Sequence, residues 1–348
     1  MMLNVGILGA TGFIGTRTTE FFCVNKLAEI KPIVRASSSL SHLKHLGLKS
    51  CIADALDSSS LYNAFVGCDI VIYCISGNPW FLKKTVASTY QAAEKAKVRR
   101  LVYLSTASVH GQAPLVGTDE NSPLNESQFL AYNNAKVKAE KLLLKLRQKR
   151  NTEIVILRPG IVTGPYSSWV AGFANSLQNQ TAYLVNQGQG ICNSIYIDNL
   201  AHAIYLAMIT PDVDQEAFIV GDRERITWAD LYDPIAQALG KSLSQVPNIN
   251  CSDYNPSLKE YLREAIQNSD LLGELIHLLK PVRSSKKTRQ VPQQSALNQE
   301  MAWLYQCQYQ LPDQKAEELL NYTPIISFHR GCEYMTEWLK TQDYLFKV

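Results

Sequence analysis

A chain of 348 residues with 46% apolar and 19% charged residues has an ordinary globular balance, which excludes intrinsic disorder and leaves room for one large domain or two of average size. Its net charge of +3 is spread along the chain, so nothing global points to nucleic acid or another polyanion. Eight cysteines lie far apart without a CxxC pair and read as reduced core thiols, while a strand pattern beginning at the N-terminus and the lack of any apolar run of about 18 residues predict a soluble, cytoplasmic protein.

In chain order, apolar strand-like runs alternate with helix-like stretches. NVGILG leads to a helix over 13–23, KPIVR to a helix near Leu40, DIVIYCIS to a helix over 85–97, RLVYLST to a helix over 132–148, and EIVILRPG follows. Continuous apolar strands separated by helices predict a parallel sheet covered on both faces, a Rossmann-type doubly wound α/β fold. Beyond Pro165 the pattern gives a helix over 169–177, a strand-to-helix unit in NSIYIDNLAHAIYLAM, a strand at 218–221 and a helix capped by Thr227. From about Ser242 the chain reads as helix and loop. The division expected is a cofactor domain of residues 1–165 and 192–222, with a smaller, mainly helical substrate domain of residues 166–191 and 223–348.

NVGILGATGFIG is a strand ending in Gly9, Gly12 and Gly15 and running directly into a helix. Glycines here allow a tight turn and close approach to a pyrophosphate, to which the helix N-terminus offers N–H groups and positive dipole. The spacing is GxxGxxG, and its place after a strand and before a helix makes dinucleotide binding the reading. At the end of the second strand, where an acidic residue would hold the ribose of NAD, stands Arg35, followed by Ser37, Ser38 and Ser39; this favours NADP over NAD. Asp54 fits either an adenine contact or a helix N-cap.

YNNAK puts Tyr132 and Lys136 on one face of a helix, one turn apart. A phenol near pKa 10 must fall by about 3, equivalent to about 4 kcal/mol, to act as a base at neutral pH. An ammonium at about 5 Å supplies on the order of 3 kcal/mol at an effective dielectric near 20. The pair can therefore do acid–base work on an alcohol or ketone, with Ser105, Thr106 and Ser108 at the end of the RLVYLST strand available to hold the substrate oxygen.

Taken together, GATGFIG, YLSTASVHG, YNNAK, LRPGIVTGP, IYIDNLAHAI and NYTPIISFHRGCEYMTEWL resemble the extended short-chain dehydrogenase/reductase superfamily, the NAD-dependent epimerase/dehydratase group, over nearly the whole chain. The resemblance implies Tyr132 as general acid/base, Lys136 as ligand of the nicotinamide ribose and depressor of the tyrosine pKa, and Thr106 as the hydroxyl that orients the substrate. The expected cofactor-binding set is Gly9, Thr11, Gly12, Phe13, Ile14, Gly15, Arg35, Asp54, Ala55, Cys74, Ser76, Ser105, Tyr132, Lys136, Pro159 and Ile161, with Gly160 between the last two. It further implies hydride transfer at a secondary alcohol or ketone carbon, foremost of a nucleotide sugar, by epimerisation or keto-sugar reduction, and a homodimer. A 3-beta-hydroxysteroid-dehydrogenase-like enzyme acting on a lipid-sized alcohol and a non-catalytic NADP-sensing protein are the alternatives.

The departures from the family pattern are specific. Ala107 and Ser108 follow Thr106 where 4,6-dehydratases carry an acidic pair, so dehydration is disfavoured. Cys74 to Gly77 replace an Ala-rich stretch, residues 80–96 contain no Asn for a proton relay, and His110 reads as structural. Ser108, Cys192 and Asn193 are candidate substrate residues. Asp198 is read as an N-cap. His42 and His45 lack companion ligands, so no metal is expected. Apolar positions from 258 to 279 form a helical stripe, expected to pack on the core beside a solvated basic loop with five cations from Lys280 to Arg289; contact with a nucleotide diphosphate or a membrane surface is the sharper alternative.

Overall fold

The computed structural model describes residues 2–35, 46–251, 254–269, 271–272, 274–275 and 293–342. Seven parallel strands, β1 (Asn4–Leu8), β2 (Glu29–Val34), β3 (Cys51–Ile52), β4 (Ile70–Tyr73), β5 (Arg100–Leu104), β6 (Glu153–Pro159) and β7 (Ala217–Val220), make one sheet in the order β7-β6-β5-β4-β1-β2-β3. The direction of strand addition reverses between β1 and β4, so the crevice beyond their C-terminal ends is the switch point at which ligands of such sheets bind. Every residue of β4 and β5 is buried, because both faces are covered. On one face Val5, Ile7, Ile72 and Val102 pack against Phe22, Leu200 and Ile204. On the other, Val71, Leu101 and Ile154 pack against Leu61, Val86 and Leu143. Each such aliphatic side chain contributes about 1.5–3 kcal/mol, which is why these strands carry no polar alternation.

A second core gathers Val170, Phe173, Trp228, Tyr232, Tyr305, Met335 and Leu339 from helices outside the sheet. Phe173 stacks on Tyr232 with ring centroids 3.8 Å apart, and the Tyr232 and Tyr305 hydroxyls lie 2.9 Å from each other. A short parallel pair, Ile161–Thr163 with Ser194–Tyr196, lies outside the seven-stranded sheet. Helix Gln314–Leu320 packs Ala316 and Leu320 on the sheet side.

Several local features differ from the sequence reading. The helix anticipated from Thr85 spans Pro79–Lys95, because Asn78 caps it through the Phe81 N–H and Pro79 presets its first turn. Helix Ser58–Phe65 was not anticipated, and its cap is Asp57, so Asp54 is not a helix cap. Thr227 does cap helix Trp228–Ala238, in a reciprocal box with Asp230. The helix near Leu40, the serines at 37–39, His42, His45 and the basic run 280–289 lie outside the described residues.

The stripe from residue 258 is corrected more sharply. Ser257 and Glu260 cap a helix over Leu258–Asn268, but its apolar face is turned outward, with Leu258 76%, Leu262 56% and Ile266 38% exposed. The face turned inward carries Glu264, which is buried and accepts the Ala131 N–H at 2.9 Å. A carboxylate satisfying the open N–H groups and the dipole of helix Ala131–Arg147 decided the orientation that periodicity could not. Among the described residues, no helix is long and apolar enough to cross a membrane.

Candidate active site

The glycine turn closes against the ends of neighbouring strands. Gly9 has φ +89°, and a Cβ there would meet the Cys74 carbonyl at 3.1 Å, while a Cβ on Gly15 would lie 2.3 Å from the Gly9 oxygen. Both positions therefore require glycine, and together they set helix Phe13–Val24 with its N-terminus facing the crevice. That helix has no side-chain N-cap bond, so its first N–H groups and dipole face the cleft, as a pyrophosphate requires. These residues fit a dinucleotide.

The crevice is a cleft of about 670 Å³. Gly9, Thr11, Gly12, Phe13, Ile14, Arg35, Asp54, Ala55, Cys74 and Ser76 line one end, and Thr106, Ser108, Tyr132, Gly160, Ile161 and Asn193 continue it. The exposed Arg35 sits at the end of β2. Asp54 accepts the Leu56 N–H at 3.0 Å. Thr106, two residues beyond β5, caps the short turn Ala107–His110, with its Oγ1 3.2 Å from the Ser108 nitrogen.

Tyr132 and Lys136 stand one turn apart at the start of helix Ala131–Arg147. The Lys136 side chain is almost wholly buried, donates from Nζ to the Leu104 carbonyl at 2.8 Å, and lies 5.0 Å over the Tyr103 ring. It does not depress the tyrosine as anticipated. Burial pushes the Tyr132 phenol up to about 12, with the negative charge of Glu300 adding to the rise. Burial also brings the Lys136 ammonium down to about 8, against the attraction of Glu140. Lys136 is thus set to tie the strand end beneath Thr106 to the Tyr132 helix.

The Lys136 shift has a consequence for stability. An unfolded lysine titrates near 10.4, so between about pH 8 and that value the unfolded chain holds a proton the folded chain has released, and stability rises with pH there by up to about 3 kcal/mol. Below pH 8 the cost of the buried charge is fully present. Without added cofactor, wild type should therefore gain melting temperature on Lys136→Met between pH 7 and 9.5; a constant or shrinking difference would show that the ammonium is not held down.

Some expected residues stand elsewhere. Ser105 points away from the cleft and donates to Glu140. Pro159 is buried in β6. Cys192 is buried in the smaller core, its N–H bonded to the Ile226 carbonyl at 2.9 Å, and faces a separate small pocket. Asp198 is not an N-cap: helix Ile197–Ile209 is preceded by Tyr196, and Asp198 forms a two-pronged pair with Arg17 at 2.5 and 2.8 Å, fastening this helix to the one after the glycine turn. His110 is structural, as read: its Nε2 lies 3.2 Å from Arg158, and burial together with that cation lowers it to about 4, leaving it neutral.

Other cleft residues escaped the sequence reading. Gln112, Trp169, Glu300 and Leu304 line the end beyond Tyr132, and Gln112 donates to Glu300 at 3.1 Å. Glu300 sits in the first turn of helix Gln299–Tyr305 behind the Asn298 cap, where an acidic residue looks like routine helix chemistry. Asn193 is fixed by its own loop, accepting the Leu311 N–H at 2.8 Å and donating to the Tyr309 carbonyl at 3.1 Å. Among the described residues no cluster of metal-ligating groups occurs.

Comparison with known proteins agrees with this geometry. A sequence-family profile described as NAD(P)H-binding matches residues 9–170. A UDP-glucose 4-epimerase of Vibrio cholerae is 26% identical over 270 residues, 71% of this chain and 79% of that protein. A decarboxylating sterol-4-alpha-carboxylate 3-dehydrogenase of Schizosaccharomyces pombe is 27% identical over 265 residues, 74% and 71% of the two chains. In fold, a dTDP-glucose 4,6-dehydratase from Bacillus anthracis, solved in complex with NAD, superposes with a TM-score of 0.72 at 14% identity, covering 99% and 98%. The NAD(P)H-binding match and the similarity to these epimerase and dehydrogenase relatives support placing the chain with the extended short-chain dehydrogenase/reductase superfamily.

Proposed function

We propose that this chain is an NADP(H)-dependent oxidoreductase acting at a secondary alcohol or ketone carbon. The observation that carries the reading is that Thr106 and Tyr132 line the same cleft as the glycine turn, with Lys136 bracing the strand end and helix that present them. When bound, the nicotinamide supplies or accepts the hydride. Tyr132 moves the proton at the substrate oxygen, Thr106 orients that oxygen, and Lys136 holds the nicotinamide ribose. Gly9, Gly12 and Gly15 pass the backbone under the pyrophosphate, and Arg35 takes the 2′-phosphate. Dehydration is disfavoured, since Ala107 and Ser108 follow Thr106 where dehydratases carry an acidic pair. A purely cofactor-sensing protein would need neither Thr106 nor Tyr132 beside the cofactor end.

Two substrate classes have support among the relatives. A nucleotide sugar is supported by similarity to the Vibrio epimerase. A lipid-sized alcohol is supported by similarity to the sterol dehydrogenase and by the exposed apolar segment beside the cleft helix. For the cofactor, fluorescence titration should show NADPH binding more tightly than NADH, and Arg35→Ala should weaken NADPH about 10- to 100-fold, as loss of a charge-assisted bond does, while leaving NADH unchanged. Failure to bind either dinucleotide would refute the reading.

A further inference from the structure

The end of the cleft beyond Tyr132 has a one-sided chemistry. Its apolar walls come from Pro114, Trp169, Ile191, Leu304 and Leu311, and its polar groups other than Glu300 are uncharged, mainly hydroxyls and amides. Among the described lining residues Arg35, at the far cofactor end, is the one cation, while Glu300 is the one carboxylate at this end. Glu300 is held in place by the Gln112 amide at 3.1 Å. The nearby Arg263 is already paired with Glu264 at 3.0 Å, so it is committed to the helix contact that Glu264 makes with Ala131.

Such a site discriminates by charge. Bringing an anion within several ångströms of a carboxylate in a partly enclosed cleft, where the described lining at this end offers no cation, costs at least roughly tenfold in binding per charge. A nucleoside diphosphate carries two such charges and needs cationic partners. A neutral substrate meets the opposite situation: the carboxylate accepts a hydrogen bond from a hydroxyl or N–H beside the reacting carbon, and the aromatic and aliphatic walls take up an apolar body.

We infer that Glu300, held by Gln112 beside Tyr132, sets the substrate class: this site takes an uncharged, largely apolar alcohol or ketone and turns away nucleoside diphosphate sugars. The inference rests on the oxidoreductase reading and deepens it. Glu300 and Tyr132 line the same cleft; burial raises the phenol and the charge of Glu300 adds to it, and burial together with Glu264 lifts the Glu300 carboxyl as well, both consistent with a water-poor site.

The test uses the full chain loaded with NADP⁺ and two probes, UDP-glucose and the uncharged 3β-hydroxysteroid dehydroepiandrosterone, with dissociation constants measured for wild type and Glu300→Gln. Wild type should bind the steroid at least tenfold more tightly than UDP-glucose. Glu300→Gln should shrink that gap at least tenfold, chiefly by tightening UDP-glucose. Any other pattern overturns the inference, including binding of neither probe, an unchanged gap, or UDP-glucose binding that disappears when Lys286 and Lys287 are replaced by Gln. NADP⁺ affinity is read on the same samples: if it is absent, the oxidoreductase reading fails; if it is intact while selectivity does not move, only the role of Glu300 fails.

Discussion

Tyr132→Phe should lower turnover about 10²- to 10⁴-fold, the usual worth of a positioned acid–base group, while NADPH affinity stays within about twofold. The ring is kept, so packing at the start of helix Ala131–Arg147 is preserved and only the proton-carrying oxygen is lost. The direction of reaction should follow from the same group. Burial and Glu300 hold the phenol up to about 12, so at neutral pH Tyr132 is protonated and ready to donate. Ketone reduction should therefore be flat in rate between about pH 6 and 8, whereas alcohol oxidation, which needs the phenolate, should climb as pH rises. Stopped-flow absorbance of the nicotinamide in both directions reads both outcomes. Retained turnover in Tyr132→Phe would remove the tyrosine from the chemistry, and an oxidation rate independent of pH would show that its proton is not the one transferred.

What the sequence disclosed and what it withheld divide along physical lines. The glycine turn is legible because its requirements are local: Gly9 needs a positive φ and Gly15 must clear the Gly9 carbonyl, and both constraints act within one turn of chain. Tyr132 and Lys136 are legible for the same reason, since helix periodicity alone puts them on one face. The effect of Lys136 on Tyr132 was not, because it depends on how deeply each is buried and on where the ammonium points, and one of its N–H groups is aimed at the Leu104 carbonyl. Glu300 reaches the site from a helix far along the chain, and nothing within its own segment marks it. The stripe at 258–275 failed in the instructive direction. Its period correctly gave a helix, but which face turns inward was settled by a single carboxylate seeking the Ala131 N–H, a contact between distant segments.

Arg158 and Glu140 should prove the most expensive side chains to alter singly. They form a two-pronged buried pair, Nη2 to Oε2 at 2.7 Å, with side-chain exposures of 5% and 1%. Glu140 also accepts the Ser105 hydroxyl, and Arg158 reaches His110 and the Glu120 carbonyl at 3.1 Å. Removing one partner leaves the other charge buried without its main counter-charge, so Arg158→Met or Glu140→Gln should each cost about 3–5 kcal/mol by urea denaturation. The double replacement Glu140→Met with Arg158→Met should cost much less than the two single losses added together, because the pair's attraction is largely spent on its own desolvation. Singles below about 1 kcal/mol would mean that water reaches the pair. The same carboxylate holds the Lys136 ammonium up against burial, so Glu140→Gln should also move the lysine titration below pH 8 and shift the pH at which wild-type stability begins to rise. A stability effect without that shift would separate the buried pair from the active site; the two together would show that the bracing of Lys136 and the integrity of the β5 and β6 strand ends are one structural device.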